Sequence, residues 1–167
     1  MPGDVTAVGI EGGVLAELYA QHASGALRLA YLLTGDATLA EDLVQDAFVR
    51  LAGRLLHVRD PGGFHAYLRQ TIVNLARSHF RRRAIERRFI ERQGGPQPVE
   101  APDLSDRERT RRALMQLPLR QRTAVVLRYY EDMSEAQVAD LMNCRPGAVK
   151  SLVFRGMSTL RETLGED

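Results

Sequence analysis

The chain has a single cysteine, Cys144, and one thiol cannot close an internal disulfide. That points to a reducing compartment. No apolar run is long enough to span a bilayer. Met1 to Gly13 lacks the basic start and continuous apolar stretch of a signal peptide, so a cytoplasmic protein without membrane insertion is expected. Net charge is nearly absent: 23 Lys+Arg stand against 21 Asp+Glu, for a formal +2. Charge balance alone therefore suggests no nucleic-acid partner. Recognisable reaction chemistry is missing as well. His22, His57, His65 and His79 show no metal-ligand spacing. No glycine-rich phosphate loop follows a strand, and no nucleophile motif appears. Asp42 and Asp46 form a carboxylate pair, but on a surface helix such pairs are far more often solvated or protein-binding. No catalysis, metal, cofactor or small-molecule substrate is expected.

Ordinary globular material makes up the rest, with 44% hydrophobic and 26% charged residues in 167 positions. That is enough for one medium domain or two small ones. Lys150 is the only lysine, so almost every cation is an arginine, the better bidentate donor to phosphate and guanine. Arg81, Arg82, Arg83, Arg87, Arg88 and Arg92 are opposed locally only by Glu86 and Glu91. GC-rich codon usage would also enrich arginine.

Glu41 to Leu55, EDLVQDAFVRLAGRL, has two faces at helical spacing. Leu43, Ala47, Leu51 and Leu55, with Phe48 beside them, suit a core. Asp42, Gln45, Asp46 and Val49 fall at i, i+3, i+4 and i+7 on another side. By spacing alone this is a solvated surface with one valine in it.

Around that helix the chain divides readily. Met1 to Gly13, rich in small residues, reads as a flexible tail. Val14 to Leu33 is one helix, or two with a break at Ser24-Gly25. Gly35 stops it, Asp36 caps the next, and Thr38 to Glu41 fits a capping box. That next helix runs to about Leu56. His57 to Gly63, HVRDPGG, reads as a loop. A long helix then spans Phe64 to Arg92, with Phe64, Tyr67, Leu68, Thr71, Ile72 and Leu75 as its core stripe. Gln70, Asn74, Arg77 and Arg81 share another face and offer amide and guanidinium donors. Gln93 to Asp103, with three prolines and two glycines, is a linker.

The second block begins at Ser105, where Ser105 to Glu108 reads as a capping box. LPLRQRTAVVLRYYEDM follows as a helix with Val125, Val126, Leu127, Tyr129 and Tyr130 mostly buried. Ser134 to Gln137 caps another. After a turn at Asn143 to Arg145, Pro146 opens the last helix. Two short helices, a tight turn and a third helix of mixed charge make a helix-turn-helix.

DLVQDAFVR resembles the region 2.2 helix of bacterial RNA polymerase sigma factors, in their extracytoplasmic-function (group IV) branch. GDATLAEDLVQDAF looks most like the SigE-type actinobacterial members. FHAYLRQTIVNLARSHFRRR resembles regions 2.3 and 2.4. RPGAVKSLVFRGMSTLRETL resembles the region 4.2 recognition helix, with Ala148, Leu152 and Phe154 where threonine, arginine and serine are common. The missing arginine at Leu152 removes a phosphate contact, and Arg145 weakens the cap.

The resemblance implies an all-α protein of two helical domains. Residues 1–13 are the tail, 14–92 region 2, 93–103 the linker and 104–167 region 4. It implies that Asp42, Gln45, Asp46 and Val49 dock the clamp helices of core RNA polymerase. It implies that Arg59, Asp60, Phe64, Gln70, Asn74, Arg77 and Arg81 open and hold the promoter −10 element. Tyr67 stands where many members carry tryptophan, to stack on a base or pack in the core, with the core favoured here. Arg145, Lys150, Ser151, Phe154 and Arg155 would read the −35 element. An anti-sigma factor is a further implied partner. The second block alone also resembles helix-turn-helix response regulators, so a stand-alone DNA-binding regulator is the alternative. A helical interaction module without nucleic acid is another.

Overall fold

Asp36 accepts the backbone N–H of Leu39 at 3.0 Å, and the corner it makes separates two helices. In the computed structural model these are α1 (Val5–Thr34) and α2 (Ala37–Ala52). The structure describes residues 5–54, 61–91 and 105–165, with side chains at 12–54, 63–89 and 105–165. Gly35 takes φ +68, a conformation strained for residues with a Cβ, and its N–H donates to the Tyr31 carbonyl at 2.7 Å. Thr34 is buried and donates its hydroxyl to the Ala30 carbonyl at 2.8 Å.

α3 (Pro61–Glu91) follows, then α4 (Asp106–Gln116), α5 (Leu119–Tyr129), α6 (Glu135–Met142) and α7 (Pro146–Leu164). Among the described residues every regular element is a helix, so the all-α expectation holds. α1, α2 and α3 pack against one another, and α7 lies on α5, α6 and α4. Phe64, Leu29, Leu33, Leu68 and Ile72 are fully buried in the first block, as are Leu117, Leu127, Val138 and Val149 in the second. Each large apolar side chain so buried contributes roughly 1.5–3 kcal/mol before entropy is counted.

Several boundaries differ from expectation. α1 runs unbroken from Val5, so the described part of the expected tail is helical. Nothing crowds Gly25, and a lone glycine weakens a helix without ending it. α2 ends at Ala52 with Gly53 as its cap rather than at Leu56. Asp36 caps it alone, not the Thr38–Glu41 box. α3 starts at Pro61 instead of Phe64, because proline suits the first turn of a helix as well as it breaks one. The expected linker, 93–103, lies outside the described residues, as does Leu55.

In the second block Ser105 accepts from the Glu108 N–H at 3.4 Å. Glu108 does not answer as a capping box requires, because Arg111 and Arg112 hold its carboxylate. Those partners, Arg111 first, pull its pKa to about 2. Ser134 and Gln137 do form the full box. Asn143 closes α6 in the left-handed region at φ 51, and Pro146 opens α7. Tyr129 and Tyr130 are exposed, not buried, since α5 ends there and its inward positions are already filled by Val125, Val126 and Leu127.

Gly156 is a packing residue. A Cβ there would stand 2.7 Å from Val125 Cγ2, so α7 approaches α5 more closely than alanine would permit.

Candidate functional site

On α2, Leu43, Ala47, Phe48 and Leu51 are buried, as their spacing predicts. Asp42, Gln45 and Val49 are exposed on the side away from them, and Asp46 is half-buried. Val49 is 72% exposed. Asp46 lies 3.1 Å from Arg50 one turn on. Tyr19 was counted with the apolar positions of α1, yet it is 46% exposed and packs 5.0 Å from the Phe48 ring. Leu15, Ala16, Tyr19 and Phe48 line an open apolar groove of about 490 Å³ that Val49 completes. The acidic face of α2 thus continues into an apolar one on α1. Periodicity missed this because Tyr19 sits at the border between the two faces.

Along α3, Asn74, Arg77 and Arg81 are exposed and Gln70 is half-buried. Gln70 donates its amide to the Leu141 carbonyl of α6 at 3.0 Å. Between α2 and α3 runs a groove of about 680 Å³, lined by Arg50, Arg54, Asn74, Ser78, Arg81 and Arg82 among others. Arg50 and Arg54 were not singled out from the sequence. Their four-residue spacing, in line with Asp46, is the signal that places them there. From Arg81 to Phe89 every side chain is exposed. Burial, then Arg83 and Arg82, hold His79 below the usual imidazole range, a sign of the positive field at this end.

Two aromatic assignments change. Phe64 is 1% exposed and packs near the Phe48 and His22 rings, so it is a core residue that DNA does not reach. Tyr67 is 53% exposed and leaves the core stripe. Residues 64 and 67 stand three apart, and only one falls on the buried side once Leu68 and Ile72 set that side. Arg59 and Asp60 lie outside the described residues.

On α7, Arg145, Lys150, Ser151, Phe154 and Arg155 are all exposed, with Phe154 at 72%. Val149, Gly156 and Leu160 are buried on the opposite side. Leu152 is half-buried, so this position packs rather than reaching outward. Arg145 caps α7 without a side-chain hydrogen bond. The α6–turn–α7 unit therefore offers a compact basic and aromatic face at a helix start, the arrangement a recognition helix needs. No cluster of three or more His, Cys, Asp or Glu suited to a metal occurs among the described residues, and no helix among them is long and apolar enough to cross a membrane.

The two blocks also meet. Arg122 of α5, only 5% exposed, donates to the Leu33 carbonyl at 3.0 Å and lies over the Phe80 ring at 5.0 Å. Burial pushes its pKa down to about 10, so it remains charged. Arg69 Nε stands 3.0 Å from Glu131, a charge contact without a hydrogen bond.

Residues 18–85 match sigma-70 region 2, and residues 107–160 match sigma-70 region 4. With this fold, the two matches in this order define a sigma-70-type protein. The RNA polymerase sigma-E factor of Streptomyces avermitilis is 35% identical over 143 residues, covering 83% of this chain and 78% of that one. The ECF RNA polymerase sigma factor SigL of Mycobacterium tuberculosis is 32% identical over 169 residues, covering 96% and 94%. The chain belongs to the extracytoplasmic-function RNA polymerase sigma factors. Its fold is similar to that of the sigma factor RpoE, solved in complex with the anti-sigma factor NepR from Bartonella quintana. That match has a TM-score of 0.74 at 24% identity, over 91% of this chain and 97% of that one.

Proposed function

We infer that this chain is a sigma subunit that binds core RNA polymerase in the cytoplasm and directs promoter-specific initiation, without catalysis of its own. Residues 14–92 form one functional domain and 104–167 the other, with 93–103 as the linker. The observation that carries the reading is the outward face of α2. Asp42, Gln45, Asp46 and Val49 share one side, and Val49 is left 72% exposed. An exposed valine among acids has a purpose on a protein-binding face and none in a solvated one. Core polymerase, through its clamp helices, is the partner proposed for it, with Tyr19 and Leu15 widening the contact. Gln70, Asn74, Arg77 and Arg81 would hold the −10 element, helped by Arg50 and Arg54. Tyr67 is exposed enough to stack on a base, a contact worth roughly 1–3 kcal/mol. Arg145, Lys150, Ser151, Phe154 and Arg155 would read −35. An anti-sigma factor that covers these faces is the regulator the family resemblance implies.

The test is co-elution with bacterial core polymerase followed by transcription from a randomised promoter library, using wild type and Asp46→Arg. Wild type should co-elute and select start sites. Asp46→Arg should stay folded and lose polymerase binding. A folded Asp46→Arg that binds like wild type removes α2 from the interface. Tight DNA binding by a wild type that ignores polymerase would favour a stand-alone regulator.

A further inference from the structure

α1 ends without a basic residue in its last turn. Its final carbonyls carry the negative end of the helix dipole and have no partner within the helix. Two arginines from the other block fill that role. Arg122 of α5 donates to the Leu33 carbonyl at 3.0 Å, and Arg111 of α4 donates to the Gly35 carbonyl at 3.1 Å. The seat is close: a Cβ on Gly35 would meet Met115 Sδ at 2.6 Å. A second contact forms along α3. Arg69 faces Glu131 at 3.0 Å, both side chains being largely buried (16% and 11% exposed). One residue on, Gln70 gives its amide to Leu141 at the end of α6. Asn74 and Arg77 then form one wall of a groove of about 270 Å³ whose other wall is Leu119, Thr123 and the α6 end.

We propose that the free chain latches shut through Arg111, Arg122 and the Arg69–Glu131 pair, so that α5 and α6 occupy the Gln70 face and compete with a −10 DNA strand for it. This rests on the sigma-factor reading. The exposed face of α7 is left open, so the closed chain blocks the −10 side while sparing the −35 side. The latch is made to open. Arg122 is a buried charge whose acceptors are neutral (the Leu33 and Leu117 carbonyls and Met115 Sδ) and whose Nε has no partner. A buried charge so compensated recovers little of its desolvation cost, and a partner that separates the blocks returns it to water.

Closure lowers apparent affinity for the −10 strand by the open fraction, so a chain about nine-tenths closed binds roughly tenfold more weakly than an open one. The experiment compares four full-length proteins without polymerase: wild type, Arg69→Glu, Glu131→Arg and the double swap. The probe is a fluorescein-labelled single-stranded oligonucleotide carrying the −10 strand of a promoter that the holoenzyme transcribes. Both single variants should bind roughly tenfold more tightly than wild type. Arg69→Glu is the telling one, since losing a cation would otherwise weaken DNA binding. The swap should return binding to wild type. The radius of gyration from X-ray scattering should rise in both single variants and fall back in the swap. Unchanged affinity and size in the single variants, or a swap that behaves like them, overturns the latch. A wild type that supports no promoter with polymerase overturns the sigma reading instead, and scattering then still decides the latch.

Discussion

Arg122 donates to the backbone carbonyl of Leu33 across 89 positions of sequence, at 3.0 Å and out of reach of solvent. One side chain thereby ends α1 and anchors α5. Arg122→Ala removes the donor and leaves that carbonyl buried, which costs about 2–3 kcal/mol. Arg122→Met keeps the bulk and abandons the buried charge, so it should lose less. Urea unfolding midpoints, read by circular dichroism, check the order wild type, Met, Ala.

Gly156→Ala sets two effects against each other. Alanine favours the helix by about 1 kcal/mol. Its Cβ would stand 2.7 Å from Val125 Cγ2, and overpacking of that kind costs roughly 1–3 kcal/mol. A net loss of about 1 kcal/mol is expected. Val125→Ala in the same chain removes the clash, so the double variant should be more stable than the two single losses added together. A double-mutant cycle by denaturant titration measures that coupling.

Acidity should loosen the junction before it unfolds the rest. Burial, then Arg69, hold His65 below its ordinary 6.5, with His22 adding to the effect and Glu131 opposing it. His79 is lowered in the same direction. The unfolded chain therefore binds more protons than the folded one just below pH 6.5, and stability falls as pH drops through that window. Glu108 acts later, since its pairing is lost only as pH falls from 4.5 toward 2. Unfolding midpoints should decline from pH 7 to 5.5, and the His65→Gln, His79→Gln double variant should flatten the decline.

On α7 the cations answer a different question. Lys150→Ala should weaken binding to a −35 duplex and reduce the slope of log affinity against log salt by about one, as loss of one phosphate contact requires. Phe154→Ala should weaken binding without changing that slope, because phenylalanine neutralises no phosphate. Anisotropy titrations across salt concentrations separate the two.

What the sequence made legible was local. Asp36, Ser134 with Gln137, and Pro146 begin helices through bonds to residues two or three positions away, so their neighbours suffice to identify them. The outward side of α2 follows from spacing once Leu43, Ala47 and Leu51 define the inside. Other features depend on what lies opposite. Phe64 and Tyr67 are both aromatic residues three positions apart, and only the packing of α1 and α2 decides which is covered. Arg122 stands in LPLRQRTAVV like any surface arginine. Its burial depends on α1 ending where it does. Arg50 and Arg54 became part of a groove only when α3 supplied the other wall.

α3 is 31 residues long, about 46 Å at 1.5 Å per residue. Phe64, Leu68 and Ile72 fix its first half in the core, while the stretch from Arg81 to Phe89 projects bare. After Gly63 it contains neither glycine nor proline, the usual sites of bending. It is a lever without a hinge. Any load on the arginines at its far end is delivered to the α1–α2 packing, and strand capture at one end moves the seat of α2 at the other.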